Sequence, residues 1–200
     1  MKPLFRNIVI IVVVLAVGAA IFSCTGKEKG NSASPAEIGE ISNMAMPAET
    51  GKSDFMENFK TLDVYGNEVG SDIFEGYKIT VVDVWGTYCG PCIQAMPTLQ
   101  QVYEKYRDKE VNVIGVLIDA QKSDGAPDPD KIVLAREIMD NCGADFNSIL
   151  VSENIMYSVM KDITAIPTSF FVDSEGKMVG KMHLGGRSLS DWSSAIDEIL

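Results

Sequence analysis

The run Ile79-Thr80-Val81-Val82-Asp83-Val84 leads without a break into Trp85-Gly86-Thr87-Tyr88-Cys89-Gly90-Pro91-Cys92. A stretch that is apolar nearly throughout reads as a central strand buried on both faces. Beyond it, Ile93, Met96, Leu99, Val102, Tyr103 and Tyr106 recur at three- and four-residue steps, which predicts a helix over 89–107. A buried strand feeding directly into a helix points to an α/β architecture. The same junction carries chemistry, because two cysteines separated by two residues sit where the helix begins. Unpaired amides and the positive end of the helix dipole favour a thiolate there. Cys89 is therefore the expected nucleophile, and Cys92, one turn in, can resolve the mixed disulfide that Cys89 makes. Pro91 costs little in a first helical turn, whereas Pro97 is expected to kink the helix.

Two plainer readings of the cysteines fail on particulars. A structural zinc site needs two further ligands, and the chain offers only Cys24, Cys142 and the single His183, all distant in sequence. No metal is expected, and no bound cofactor beyond the Cys89–Cys92 couple itself. A purely structural disulfide would close a very small loop, which constrains the unfolded chain least.

The rest of the chain continues the alternation of strand and helix. Residues 59–64 and 68–69 flank Tyr65-Gly66-Asn67, a hairpin signal ahead of the core. Residues 111–118 read as a second buried strand and 119–130 as a loop. A helix follows over 131–141, ended by Cys142-Gly143. A short segment at 149–151 precedes a helical stretch at 154–161. Pro167 opens a strand over 168–172, which turns through 174–177 into a partner over 178–184. An amphipathic helix over 189–200 closes the chain.

Two segments together carry a family resemblance. Val82-Asp83-Val84-Trp85-Gly86-Thr87-Tyr88-Cys89-Gly90-Pro91-Cys92 resembles the active-site stretch of the thioredoxin superfamily. Ala165-Ile166-Pro167-Thr168-Ser169-Phe170-Phe171-Val172-Asp173 resembles that family's cis-proline turn and following strand, and Gly185-Gly186 its glycine pair near the site. With Met96-Pro97 shortly after the cysteines, the pattern is similar to the TlpA/ResA-like membrane-anchored thiol–disulfide oxidoreductases. The resemblance covers residues 55–200. It implies a thioredoxin fold: a central mixed β-sheet flanked by helices, with an N-terminal β-hairpin and a central strand–helix insertion between Cys92 and Pro167.

The resemblance also assigns roles. Asp83 matches the family's proton acceptor for the resolving cysteine. An acid amid Val82 and Val84 is costly to bury charged, so its pKa should rise. Pro167 should be cis and face the cysteines, and the backbone around Ile166 and Thr168 should pair with an extended substrate. Gly90 and Pro91 would lie against that substrate. Trp85 and Tyr88 would form an apolar platform beside the sulfurs, with core packing the equal alternative for Trp85. Cys142 reads as a buried small hydrophobe or as a regulatory thiol. His183 receives no function.

The N-terminus places the domain. Lys2 and Arg6 precede an uncharged apolar run over 8–22, shorter than the roughly 20 residues a spanning helix prefers. Ile21-Phe22-Ser23-Cys24 resembles a bacterial lipobox, which implies a signal peptide over 1–23 and a lipidated Cys24. An uncleaved signal anchor is the alternative. Either places the remainder outside the cytoplasm, tethered to the bacterial cell membrane. Residues 24–54 are rich in Gly, Ser, Ala, Pro, Glu and Lys and read as a flexible tether. The formal charge is −11, and loss of residues 1–23 would make it two units more negative. Such acidity argues against nucleic acid as a partner.

The expected activity is reduction of protein disulfides in the cell envelope, with an integral membrane electron donor restoring the dithiol. Two alternatives share the scaffold. One is a disulfide-forming oxidase. The other is a copper-binding or ligand-binding lipoprotein, which would pair the cysteines with a histidine such as His183.

Overall fold

The computed structural model describes residues 45–46 and 55–200. The expected signal peptide, Cys24 and nearly all of the tether lie outside those residues. Among the described residues no helix is long and apolar enough to cross a membrane.

Among the described residues, seven strands and four α-helices follow one another in the expected order. The hairpin strands β1 (Lys60–Leu62) and β2 (Glu68–Gly70) come first. The central strand β3 spans Ile79–Trp85, helix α1 Gly90–Tyr106 and strand β4 Val111–Leu117. Helix α2 spans Pro129–Cys142, strand β5 Asn147–Leu150 and helix α3 Glu153–Ser158. Strands β6 (Thr168–Val172) and β7 (Met178–Leu184) and helix α4 (Leu189–Ile199) complete the domain.

Five strands form one mixed sheet in the order β5-β4-β3-β6-β7. Strands β3, β4 and β5 run parallel, while β6 and β7 run antiparallel to their neighbours. Helix α2, β5 and α3 occupy the long separation between Cys92 and Pro167, as the expected insertion requires. The hairpin covers the β5 edge: the Val64 amide donates to the Ser148 carbonyl at 2.9 Å, and the Thr61 hydroxyl to the Leu150 carbonyl at 2.8 Å. Pairing an edge in this way removes a template for association. The turn itself is held by Asp63, whose Oδ1 accepts the amides of Tyr65 (2.8 Å) and Asn67 (2.9 Å).

Because side chains alternate along β3, its two faces feed two cores. Ile79, Val81 and Trp85 pack with Leu99 and Val102 of α1, Ile132 of α2 and Trp192 of α4. Val82 and Val84 pack on the other side with Phe59, Phe74, Ile114, Val116, Ile155 and Phe170. Asp83 falls on the first face, beneath α1.

Two boundaries differ from the sequence expectation. Helix α2 starts at Pro129, because the Asp128 carboxylate accepts the amides of Asp130 and Lys131 and proline suits the first helical position. The short segment near 149 is a full sheet strand, β5, paired with β4 from Asn147. Helix α1 runs through Pro97 to Tyr106, over the span that the spacing predicts.

Candidate active site

Helix α1 begins at the dithiol. Cys89 is its N-cap, with extended backbone, and Gly90 and Pro91 supply the first turn. The Cys92 amide donates to Cys89 Sγ at 3.2 Å. That is the capping contact a serine would make with its hydroxyl, here made by sulfur. The two cysteines form a disulfide, with Cα atoms 5.3 Å apart. Cys89 is 6% exposed and Cys92 fully buried, with Pro91 exposed beside them. The N-terminal sulfur thus faces the surface and the second lies behind it, as the roles of nucleophile and resolving thiol require.

Three loops converge around Cys89. The first is 85–89, the second is the turn before β6, where the Ile166–Pro167 bond is cis, and the third is 185–186. The first two meet at Gly86, where a Cβ would touch Ile166 Cδ1 and Asp119 Oδ1 at 3.4 Å and crowd the Tyr88 ring at 3.0 Å. The Gly185 amide donates to the Pro167 carbonyl at 2.8 Å, tying the third loop to the second. Ala165 is exposed, and Ile166 is half-buried and packs against the core that contains Cys89.

Asp83 lies beneath the helix on β3, 5% exposed. Burial alone raises its pKa from the ordinary 3.8 to about 8. Removing a carboxylate from water disfavours its charged form, and here no opposing charge restores it. That value lies close to the ordinary thiol pKa of about 8.5, so the carboxylate form of this acid is basic enough to take a proton from a cysteine.

Two of the expected substrate contacts are corrected. Trp85 takes the core-packing alternative: it is 1% exposed, and its indole Nε1 donates to Ser148 Oγ at 2.9 Å. Thr168 is buried, its backbone lies between β3 and β7, and its hydroxyl donates to the Ala165 carbonyl at 2.7 Å. It holds the cis-proline turn from within. Tyr88, by contrast, is 68% exposed and remains available as an apolar surface.

The sequence reading missed a polar clamp behind the cysteine loop. Asp119 accepts from the Thr87 amide at 2.9 Å and from its hydroxyl at 2.5 Å, and Lys131 Nζ donates to both Thr87 Oγ1 (3.2 Å) and Asp119 Oδ2 (3.3 Å). A signal existed: residues just past the ends of adjacent parallel strands share one edge of the sheet, where α/β proteins place their sites. Cys142 lies at the end of α2, its sulfur 3.7 Å from the Ile93 carbonyl oxygen in the second turn of α1. Among the described residues no group of three or more His, Cys, Asp or Glu is placed to hold a metal ion.

Comparison with known proteins agrees with this geometry. The profile of the AhpC/TSA family matches residues 53–181. The thiol-disulfide oxidoreductase ResA of Bacillus thuringiensis (strain Al Hakam) is 27% identical over 122 residues, 61% of this chain and 64% of that protein. The match thus spans just under two thirds of that relative's length. ResA of Bacillus thuringiensis subsp. konkukian is 28% identical over 180 residues, 89% of this chain and 86% of its own. Among solved structures, a thiol:disulfide interchange protein of the thioredoxin family from Chlorobium tepidum TLS superimposes with a TM-score of 0.59 at 21% identity, covering 75% of this chain and 98% of its own. The fold is that of thioredoxin.

Proposed function

We infer that this chain, which belongs to the AhpC/TSA family, is a thiol–disulfide oxidoreductase that works through Cys89 and Cys92 and reduces protein disulfides outside the cytoplasm. The observation that carries the reading is the cap of α1. A sulfur that accepts the Cys92 amide and sits at the positive end of a helix is stabilised as a thiolate when the couple is reduced.

The steps follow from where each group lies. The Cys89 thiolate attacks one sulfur of a substrate disulfide, and the other substrate sulfur leaves. Cys92, buried behind it, gives its proton to Asp83 and attacks Cys89 Sγ. The Cys89–Cys92 bond forms, and the second substrate sulfur departs. Two electrons pass from the dithiol to the substrate. The substrate segment lies in an extended form along Ala165 and Ile166, over Gly90 and Pro91, with Tyr88 as an apolar neighbour.

Two features support the reducing direction. Gly-Pro between the cysteines resembles the dipeptide of reducing thioredoxins, and a buried acid with a raised pKa suits proton acceptance from Cys92. The export signal and lipobox resemblance at the N-terminus support a domain held at the outer side of a bacterial membrane, with oxidised envelope proteins as substrates. A membrane electron donor would then restore the dithiol.

The test is turnover of a protein disulfide such as insulin by the full-length chain with dithiothreitol as reductant. The reading requires acceleration over dithiothreitol alone, its loss in Cys89→Ser, and a trapped mixed disulfide in Cys92→Ser, seen as added mass. No acceleration by the parent chain would overturn it.

A further inference from the structure

The loop that presents Cys89 is held from outside by one side chain. Strands β3 and β4 run parallel with Trp85 opposite Leu117, and the Ile118 amide continues the pairing to the Trp85 carbonyl at 3.0 Å. Thr87 and Asp119, each two residues past those strand ends, therefore meet. Asp119 takes both polar groups of Thr87, the amide on Oδ1 at 2.9 Å and the hydroxyl on Oδ2 at 2.5 Å. Within the loop the Cys89 amide donates to the Gly86 carbonyl at 3.0 Å, so fixing Thr87 fixes the turn that ends at the sulfur.

A carboxylate makes a strong anchor, because hydrogen bonds to a charged acceptor are roughly twice as strong as neutral ones. It is also the wrong charge for the place. Cys89 reacts as a thiolate, and Thr87 is two residues away, about 7 Å at most between Cα atoms. A like charge at such range disfavours a thiolate. The Asp119 side chain is only 15% exposed, so water and salt screen it poorly.

Lys131 answers that charge. Its Nζ lies 3.3 Å from Asp119 Oδ2 and 3.2 Å from Thr87 Oγ1. The lysine stands in the first turn of α2, where its amide donates to the Asp128 carboxylate at 3.3 Å. A cation is disfavoured at that end of a helix dipole, where acids are preferred. Lys131 thus occupies an unfavourable helix position, and what it gains there is the pair of acceptors that anchor the cysteine loop.

We propose that Asp119 and Lys131 are a charge-neutral positioning pair for Cys89. The carboxylate fixes the cysteine loop through Thr87, and the ammonium cancels the field that the carboxylate would set against the thiolate. The pair rests on the oxidoreductase reading above and exchanges no proton or electron with the sulfurs. Its effect is on the balance of the couple. The reduced form holds the thiolate and the disulfide does not, so whatever favours the thiolate raises the potential. Asp83 beneath α1 and Arg187 just past the 185–186 loop also border the site, and both are kept in every variant below.

The experiment follows alkylation of Cys89 by iodoacetamide against pH in the reduced full-length chain at low ionic strength, with the modified residue located by peptide fragmentation. The reduction potential is taken at pH 8. Lys131→Met leaves the carboxylate unopposed: the pH midpoint rises by about half a unit, roughly threefold in thiolate, and the potential falls. Asp119→Asn keeps an oxygen for the Thr87 amide and leaves the lysine unopposed, so the midpoint falls by a similar amount and the potential rises. The double variant and Lys131→Arg both stay at the parent values, and 1 M salt shrinks every shift. A purely structural anchor would move both single variants in one direction. That result, unchanged midpoints, or a double variant as displaced as either single one overturns the pair. Should Asp119→Asn fail to fold, Lys131→Met against Lys131→Arg decides alone. If the parent chain itself forms no couple, the oxidoreductase reading fails, and the pair has no thiolate to serve.

Discussion

The two faces of the five-stranded sheet are built from the same strands to opposite ends. Beneath α1, one row crosses the sheet as His183, Ser169, Asp83, Gly115 and Ser148, and four of these five carry polar side chains. One residue along on β3, the other face presents Val82 and Val84, packed on Ile114, Val116, Ile155 and Phe170. Only the face with the polar row lies under the helix that carries the cysteines, and it also holds the core of Ile79, Val81, Trp85, Leu99 and Val102. Both faces hold apolar cores, and on the α1 side the polar row gives up stability to keep a titratable group under the helix that carries the cysteines. That division is common where a buried acid serves chemistry.

The largest effect that would break this comparison is on Asp83. Its folded-state pKa is raised from 3.8 to about 8, so the folded protein holds a proton that the unfolded chain releases. The stability linked to that proton is fully present below pH 3.8 and is lost as pH rises toward 8. The slope is about 1.4 kcal/mol per pH unit. Urea unfolding across that range should show the slope in the parent and its loss in Asp83→Asn, with the variant the more stable of the two above neutrality. Equal pH dependence in both would remove Asp83 as a buried acid.

On the apolar face, Phe170→Ala should cost about 3–5 kcal/mol by the same measurement. The folded fraction should keep its rate of disulfide reduction and its potential, because Phe170 faces away from the cysteines. A shifted potential would mean that the two faces are not separate.

Gly115 sharpens the account of the polar row. A Cβ there would lie 2.7 Å from Trp85 Nε1 and 2.9 Å from Ser148 Oγ. Gly115→Ala should therefore displace Trp85 and destabilise by about 1–3 kcal/mol, with a changed tryptophan fluorescence. Smallest is the clamp behind the cysteine loop. Lys131 is substantially exposed, so Lys131→Met should cost less than about 1 kcal/mol in thermal unfolding.

Much of this was legible in the chain. The run from Ile79 to Trp85 is buried at every position, and its apolar character announced that directly. Cys89 and Cys92 occupy the helix start that their spacing implied, and the Ile166–Pro167 bond is cis as the resemblance to thioredoxins led one to expect. What escaped depends on pairing between distant segments. Trp85 turns inward because Ser148, on a strand too short to be recognised, offers its indole an acceptor. Thr168 is consumed by the turn that it closes. The row through Ser169 and His183 exists only once β6 and β7 have found their register. A shift of one residue would send both side chains to the other face.

The central claim is that the Cys89–Cys92 couple is a reductant, and its reduction potential tests that most directly. The full-length chain is equilibrated against glutathione or dithiothreitol buffers, and the fraction oxidised is read by thiol labelling. The account predicts a value near that of thioredoxin, about −270 mV. A value near the strong oxidants, about −120 mV, would contradict it and make this a disulfide-forming catalyst.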